Sequence, residues 1–295
     1  MPRPAAVALA TCEEHPDLDA EGRLLLGALR ARGSVAEPAV WDADPDAGWE
    51  RFDIVVVRST WDYTFALERF LTWTRAIGPR LLNGPEAIAW SADKRYLLEL
   101  AQAGLPVIAT ELLHPGTPFA PPPEGRFVVK PAVSAGSRGA AVFDAARHDA
   151  ARAHVAALQA ERRDVLVQPY LAAVDGQEAE TALIFLDGEL SHAMRKGPLL
   201  ALDRPPLRSG WAPEVMSRAT PAGDVIELGE RAHAHVQERF GRLLYARVDV
   251  LRDDSGAPAV LEIELIEPSL FLDHVPGTAN ALAGAILARV AATAR

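Results

Sequence analysis

Apolar and polar positions along the chain alternate between two periods. Residues 5–10 form a short apolar run. Residues 21–32 repeat apolar positions at helical spacing up to Gly33, and residues 53–57 read as a buried strand. A second helical stretch covers 65–77, and 80–82 supplies another short strand. This order predicts a small parallel α/β domain. A helix is predicted from Ser91 to about residue 103, closed by Gly104 and Pro106, and a proline-rich surface connection follows over 115–123. Strands at 126–130, 141–143 and 164–169, with a helix at 145–161, predict a compact α+β unit. Beyond it come strands at 181–186 and 190–195, a loop-rich stretch to Ala222 and a helix over 224–240. Two more strands at 243–251 and 259–266 and a last helix at 279–292 complete the pattern. The expected architecture is α/β, in part α+β, with units over residues 1–92, 93–172 and 173–295.

The last two strands carry the most chemistry. They are linked by a turn-rich segment through Ser255 and Gly256, which suits a hairpin. Folded there, Asp249 lies opposite Glu262, and alternation puts Arg247, Asp249, Glu262 and Glu264 on one face. Carboxylates facing one another repel unless a cation sits among them. An all-oxygen set suits Mg²⁺ or Mn²⁺. The same alternation also fits the wet face of an amphipathic hairpin.

Composition narrows the classes. At 295 residues, with 49% hydrophobic and 24% charged residues, the chain has a composition ordinary for a soluble globular protein and can bury a substantial core. A net charge of −10 argues against nucleic acid or an anionic membrane as the main partner. The single cysteine, Cys12, excludes an internal disulfide framework and reads as a small buried residue. No apolar run approaches membrane-spanning length and no signal-peptide pattern opens the chain, so a cytoplasmic location is expected. Basic residues are nearly all arginine. The three lysines, Lys94, Lys130 and Lys196, therefore stand out.

Lys130 ends an apolar strand beside a small-residue loop containing Ser134, Gly136, Ser137 and Gly139. An ammonium beside close-approaching backbone N–H groups can grip phosphate, although a tight turn with a solvated lysine has the same pattern. Pro169 breaks the strand of Gln168, Tyr170 and Leu171, and an adenine edge can be read where a strand stops pairing. Glu180 could accept from ribose hydroxyls or simply be an exposed strand glutamate. Near the N-terminus, Arg58, Ser59, Trp61, Asp62 and Tyr63 follow a buried parallel strand, where ligands of open α/β sheets gather. Arg58 could hold a carboxylate, Trp61 and Tyr63 could wall a pocket, and Asp62 could meet an amine. Core packing accounts for the aromatics equally well.

Taken in order, S-A-D-K94, F-V-V-K130-P, V-S-A-G-S-R-G139, V-Q-P-Y-L171, E180-T-A-L, R247-V-D249 and L-E262-I-E264 resemble the ATP-grasp family. That family's ligases join a carboxylate to a nucleophile through an acyl phosphate. The resemblance implies that Lys94 and Lys130 contact the ATP phosphates under the loop of Ser134, Gly136, Ser137 and Gly139. It further implies that Gln168, Tyr170 and Leu171 line the adenine pocket, and that Glu180 takes the ribose. Asp249, Glu262 and Glu264 would hold two Mg²⁺ ions, and Arg247 would stabilise an oxyanion, with Lys196 and Arg195 sharing charge. The family commonly has E-x-N where this chain has Glu262-Ile263-Glu264. Its members are often dimers, so a homodimer is expected.

R-S-T-W-D-Y63 together with L-I-E-P-S-L-F-L272 is similar to the branch containing the O-ureido-serine cyclo-ligase of cycloserine biosynthesis. By this resemblance Glu267 and Ser269 join Arg58, Ser59, Trp61, Asp62 and Tyr63 around an amino-acid-like carboxylate substrate. Two other classes use similar parts: a nucleotide-binding module without turnover, and a carboxylate-cluster metal-dependent phosphohydrolase.

Overall fold

The computed structural model describes residues 3–43, 48–176, 179–198, 200–202, 206 and 215–293. Strands β1 (Ala6–Thr11), β2 (Val35–Val40) and β3 (Ile54–Ser59) form a parallel sheet in the order β2-β1-β3, with helix α1 (Ala20–Ala31) between the first two strands. Val7, Leu9, Ile54 and Val56 pack with Leu25, Leu29, Leu282 and Ile286 on one side, whereas Ala8, Ala10, Val55 and Val57 pack with Phe70 and Ile88 on the other. With both faces covered, the strands read as continuous apolar runs. Asp19 caps α1 by accepting the Gly22 N–H. β2 escaped the sequence pattern because Pro38 and Glu37 break its alternation, and an edge position is where proline is tolerated.

Helices α2 (Leu67–Ile77), α3 (Gly84–Ser91) and α4 (Tyr96–Gln102) follow. The strand expected at 80–82 is reduced to one bridge between Val55 and Leu81. The helix expected from Ser91 instead starts at Tyr96, because the Lys94 N–H bonds the Ala132 carbonyl (2.9 Å) and is drawn out of helical register.

A second sheet joins β4 (Glu111–Leu113), β5 (Arg126–Pro131), β6 (Ala141–Asp144) and β7 (Val165–Pro169) in the antiparallel order β4-β7-β5-β6. Phe127, Val129, Val165 and Val167 meet Ala151, Val155 and Leu158 of helix α5 (His148–Ala160), leaving Val128, Lys130 and Gln168 on the opposite face.

The third sheet is antiparallel in the order β10-β9-β8-β11-β12. Its strands are β8 (Glu180–Leu186), β9 (Glu189–Lys196), β10 (Met216–Arg218), β11 (Tyr245–Arg252) and β12 (Pro258–Glu264). Helix α6 (Gly223–Phe240) covers one face through Val225, Leu228 and Val236 against Leu183, Phe185 and Val248. The approach is close at Gly229, where a Cβ would stand 2.1 Å from Leu183 Cδ1. At one end of the other face, Ile184, Met194 and Tyr245 meet the first sheet, α1 and α7 (Thr278–Thr293) in a single core. The Tyr245 hydroxyl lies 2.7 Å from the Val57 carbonyl and 2.8 Å from that of Ile266, and Asn83 donates to the Tyr245 and Leu265 carbonyls. These buried bonds fix the first sheet against the hairpin. The other end of that face opens on a cleft. Among the described residues no helix is long and apolar enough to cross a membrane.

One buried group of α6 makes stability depend on pH. His233 is 4% exposed, stacks on Phe185 at 4.1 Å, and has no hydrogen-bond partner for Nε2 among the described residues, so burial lowers its pKa to about 4. Its neutral form is favoured in the folded state. Its contribution is therefore complete above the unfolded value of about 6.5 and is lost as pH falls toward 4, by about 2–3 kcal/mol in all. Denaturant unfolding at pH 7.5 and pH 5 is expected to show this loss in the wild type and to show it reduced in His233→Phe. An equal loss in both proteins would assign the acid sensitivity elsewhere.

Candidate active site

The hairpin register matches the sequence expectation: Asp249 pairs with Glu262 and Arg247 with Glu264. Between Asp249 and Val250 the register shifts, so that Val250 faces Val260 and Leu261 is an extra residue on β12. The bulge lets Leu261 and Glu262 both line the cleft, while Val260 and Ile263 enter the core.

Cations of the chain are threaded through the acids. Arg247 donates from Nε to Asp249 Oδ1 (3.0 Å), and from Nη2 to Asp249 Oδ2 (3.0 Å) and Glu264 Oε1 (2.5 Å). Lys196 donates to Glu180 and, at 3.1 Å, to Asp249, and Lys94 pairs with Glu262 at 3.0 Å. Burial alone would raise the Asp249 pKa, but Arg247 and Lys196 outweigh it and hold the carboxyl at about 2. Burial likewise opposes Lys94 and Lys130 at Glu262, where the lysines prevail and the pKa is lowered. At Glu180 and Glu264 burial prevails over Lys196 and Arg247 respectively, and both carboxyls rise to about 7. Among the described residues no three His, Cys, Asp or Glu side chains gather around one point as a preformed metal site. Glu262 and Glu264 line the cleft; Asp249 lies behind them, 1% exposed, anchoring Arg247 and Lys196.

The facing wall comes from the second sheet. Lys130 lines it with no ion pair among the described residues, and burial lowers its pKa. The adjoining loop is held at its base. Lys94 Nζ donates to the Ser134 carbonyl (2.7 Å), Arg163 to that of Val133 (2.8 Å), and His154 Nε2 lies 2.8 Å from that of Gly139. Ser134, Gly136 and Ser137 line the cleft. Gly139 does not. It is the rear of the loop, at φ 74, where a Cβ would come within 3.1 Å of the Pro131 ring. Deeper in, Ile108, Val128, Leu171, Val174, Leu251 and Leu261 form an apolar end beside Gln168 and Tyr170. The Gln168 amide is occupied by Thr110 Oγ1 (2.8 Å), and the Tyr170 hydroxyl by Asp175 (2.8 Å). The cleft holds about 480 Å³, and all three lysines of the chain line it.

Opposite the apolar end, Trp61, Tyr63, Glu267 and Ser269 close the cleft beside Arg247. Burial and neighbouring Glu264 raise Glu267 to about 8. Four other expected residues lie elsewhere. Arg58 is 3% exposed beneath the wall, donating to the Pro268 carbonyl (3.1 Å) with Glu21 at 3.8 Å. Glu21 in turn accepts the Leu270 and Phe271 N–H groups, so Arg58 supports the segment that carries Glu267 and Ser269 without touching the cleft. Ser59 donates to the capping carboxylate of Asp19, and Asp62 accepts from the Trp41 indole N–H (2.8 Å). Arg195 alternates with Lys196 and so lies on the α6 side of β9, with Ala193. His15 and Asp19 line the cleft and were not expected. They follow β1 as Trp61 follows β3, and the rule that ligands gather at carboxyl ends of parallel strands applies equally to both.

Known proteins resemble the chain over nearly its whole length. The family described as D-cycloserine synthetase DcsG, N-terminal domain, matches residues 7–83. The cycloserine biosynthesis protein DcsG of Streptomyces lavendulae is 34% identical over 305 residues, spanning 96% of this chain and 98% of that protein. The crystal structure of D-cycloserine synthetase DcsG superimposes with a TM-score of 0.85 at 32% identity, over 97% of this chain and 100% of the other. D-alanine–D-alanine ligase of Bacillus anthracis shares the fold at a TM-score of 0.67 and 14% identity, covering 99% of this chain and 98% of its own. The ATP-grasp ligase PsnB does so at 0.63 and 18%, covering 97% and 99%. The chain belongs to the DcsG family and has the ATP-grasp fold.

Proposed function

We propose that the cleft binds ATP with Mg²⁺ or Mn²⁺ and activates the carboxylate of O-ureido-serine, whose own ureido nitrogen then closes the cycloserine ring. The observation that carries this reading is the convergence of all three lysines on a cleft whose floor is Glu262 and Glu264. A carboxylate is a poor electrophile and repels a polyphosphate, so its phosphorylation needs concentrated positive charge. Lys130, buried without an ion pair among the described residues, is suited to an incoming phosphate. The donor set fits a hard divalent ion: Glu262 and Glu264 offer carboxylate oxygens at the cleft, next to where the lysines would hold phosphates. Such an ion would supply charge neutralisation at the phosphates. The apolar end around Ile108, Val128 and Leu261 suits the adenine ring, and Glu180 suits its ribose.

The substrate would occupy the end between Arg247 and Glu267. Attack by its carboxylate on the γ-phosphate releases ADP and leaves an acyl phosphate. Attack by the oxygen-bound ureido nitrogen on the acyl carbon then expels phosphate and closes the ring, with Arg247 donating to the developing oxyanion. Hydrolysis of the carbamoyl group still on that nitrogen, lost as ammonia and carbon dioxide, gives cycloserine. The relation to a cycloserine biosynthesis protein supports this choice of substrate. The test is ADP and phosphate release by the purified protein with ATP, Mg²⁺ and either enantiomer of O-ureido-serine, with the product identified by mass spectrometry. Substrate-dependent ADP accompanied by a cyclic product is expected. Release dependent only on a different amino acid would overturn the cyclisation, release without any carboxylate would indicate a phosphohydrolase, and no release would indicate a binding module.

A further inference from the structure

Arg138, at the tip of the loop that carries Ser137, takes no part in the site described above and does not line the cleft. Its Nη2 donates to the Trp61 carbonyl (2.5 Å) and to Thr64 Oγ1 (2.8 Å), and its guanidinium stands 4.6 Å from the centre of the Phe65 ring. These partners belong to the turn at Trp61–Phe65 that follows β3. The base of the loop is held quite differently, by Lys94, Arg163 and His154. Gly136 and Ser137 sit at φ 60 and φ 59, a left-handed bend that leaves Ser137 at the cleft and Arg138 at the Trp61–Phe65 turn. The Trp61 indole itself forms part of the cleft wall, edge-on to His15 at 5.2 Å.

We propose that Arg138 is a positioning residue, a latch that ties the phosphate-side loop to the substrate-side wall through the backbone of Trp61. The physical argument is one of shared geometry. A ligand seated against Trp61 fixes the turn that offers the latch its two acceptors, and an anion held near Ser137 fixes the loop that offers the donor. Each occupant therefore favours the other, and the coupling is reciprocal. A latched loop also keeps water from an activated carboxylate between the two chemical steps. Arginine suits the task because it stays charged while partly buried and engages two acceptors and an aromatic face together.

The test compares the full-length wild type with Arg138→Ala, Arg138→Lys and Thr64→Val. Amide hydrogen exchange over residues 133–139 is followed in the free protein and with Mg²⁺ and AMP-PNP, and ADP formed per cyclic product is measured with O-ureido-serine. In Arg138→Ala, exchange of the loop is expected to speed up by about tenfold or more, the size of a lost charge-assisted bond. ADP formed per product should rise above the wild-type ratio, with Arg138→Lys intermediate on both readouts. A merely structural arginine would lower the melting temperature and leave the product ratio unchanged. Wild-type exchange in Arg138→Ala, or an unchanged product ratio alongside active cyclisation, would overturn the proposal. Thr64→Val removes one acceptor at nearly constant shape and carries the same test if Arg138→Ala does not fold. The exchange arm uses free protein, so it stands even if O-ureido-serine proves not to be the substrate.

Discussion

Arg247→Ala is expected to lower kcat by about 10²–10³, the usual cost of removing one oxyanion donor. The geometry adds to that loss. Arg247 is 6% exposed and its fork spans Asp249 and Glu264, so alanine leaves two neighbouring carboxylates without their shared cation. Glu264, already raised by burial, then rises further, and the acid that faces the cleft becomes a weaker ligand for a divalent ion. Arg247→Lys restores the charge but not the two-pronged fork. It should recover part of the lost stability and little of the rate. Steady-state turnover measured beside denaturant unfolding separates the two effects. Near-normal turnover in Arg247→Ala would remove Arg247 from the chemistry.

The hairpin was legible because its information is local. A turn through Ser255 and Gly256 sets the register, and the period of two then dictates which side chains share a face. The bulge at Leu261 was not read, although Val260 and Ile263 are both buried three positions apart, a spacing that strict alternation forbids. Lys94 shows the opposite limit. Its segment has helical periodicity, and only the distant Ala132 carbonyl pulls it out of the helix and toward the phosphate-side loop. Arg58 could not be placed from the pattern at all. Every residue of β3 is buried, so its alternation carries no information about which face meets a ligand. Arg195 was readable in principle, since neighbouring residues of a regular strand cannot both face the cleft and Lys196 already does.

Glu262 and Asp249 face each other across the hairpin, yet their replacement should have different consequences. Glu262 ends in the cleft with its side chain 21% exposed, and its partner Lys94 keeps a second bond to the Ser134 carbonyl. Glu262→Gln should therefore unfold at nearly the wild-type denaturant concentration. Its turnover should fall by about 10³, because a carboxylate that would hold the divalent ion contributes several kcal/mol of charge stabilisation to phosphoryl transfer. Asp249 has a side chain only 2% exposed and serves both Arg247 and Lys196. Asp249→Asn takes from two buried cations the carboxylate they share, leaving Arg247 with Glu264 and Lys196 with Glu180, a loss toward the lower end of the about 3–5 kcal/mol of broken buried pairs. It should therefore lose turnover and stability together. The Mg²⁺ dependence of the remaining activity sharpens the contrast. Glu262→Gln should need more Mg²⁺ for half-maximal rate. A wild-type Mg²⁺ requirement in Glu262→Gln, or equal unfolding midpoints for the two variants, would show that burial does not divide the cluster into a ligand at the cleft and an anchor behind it.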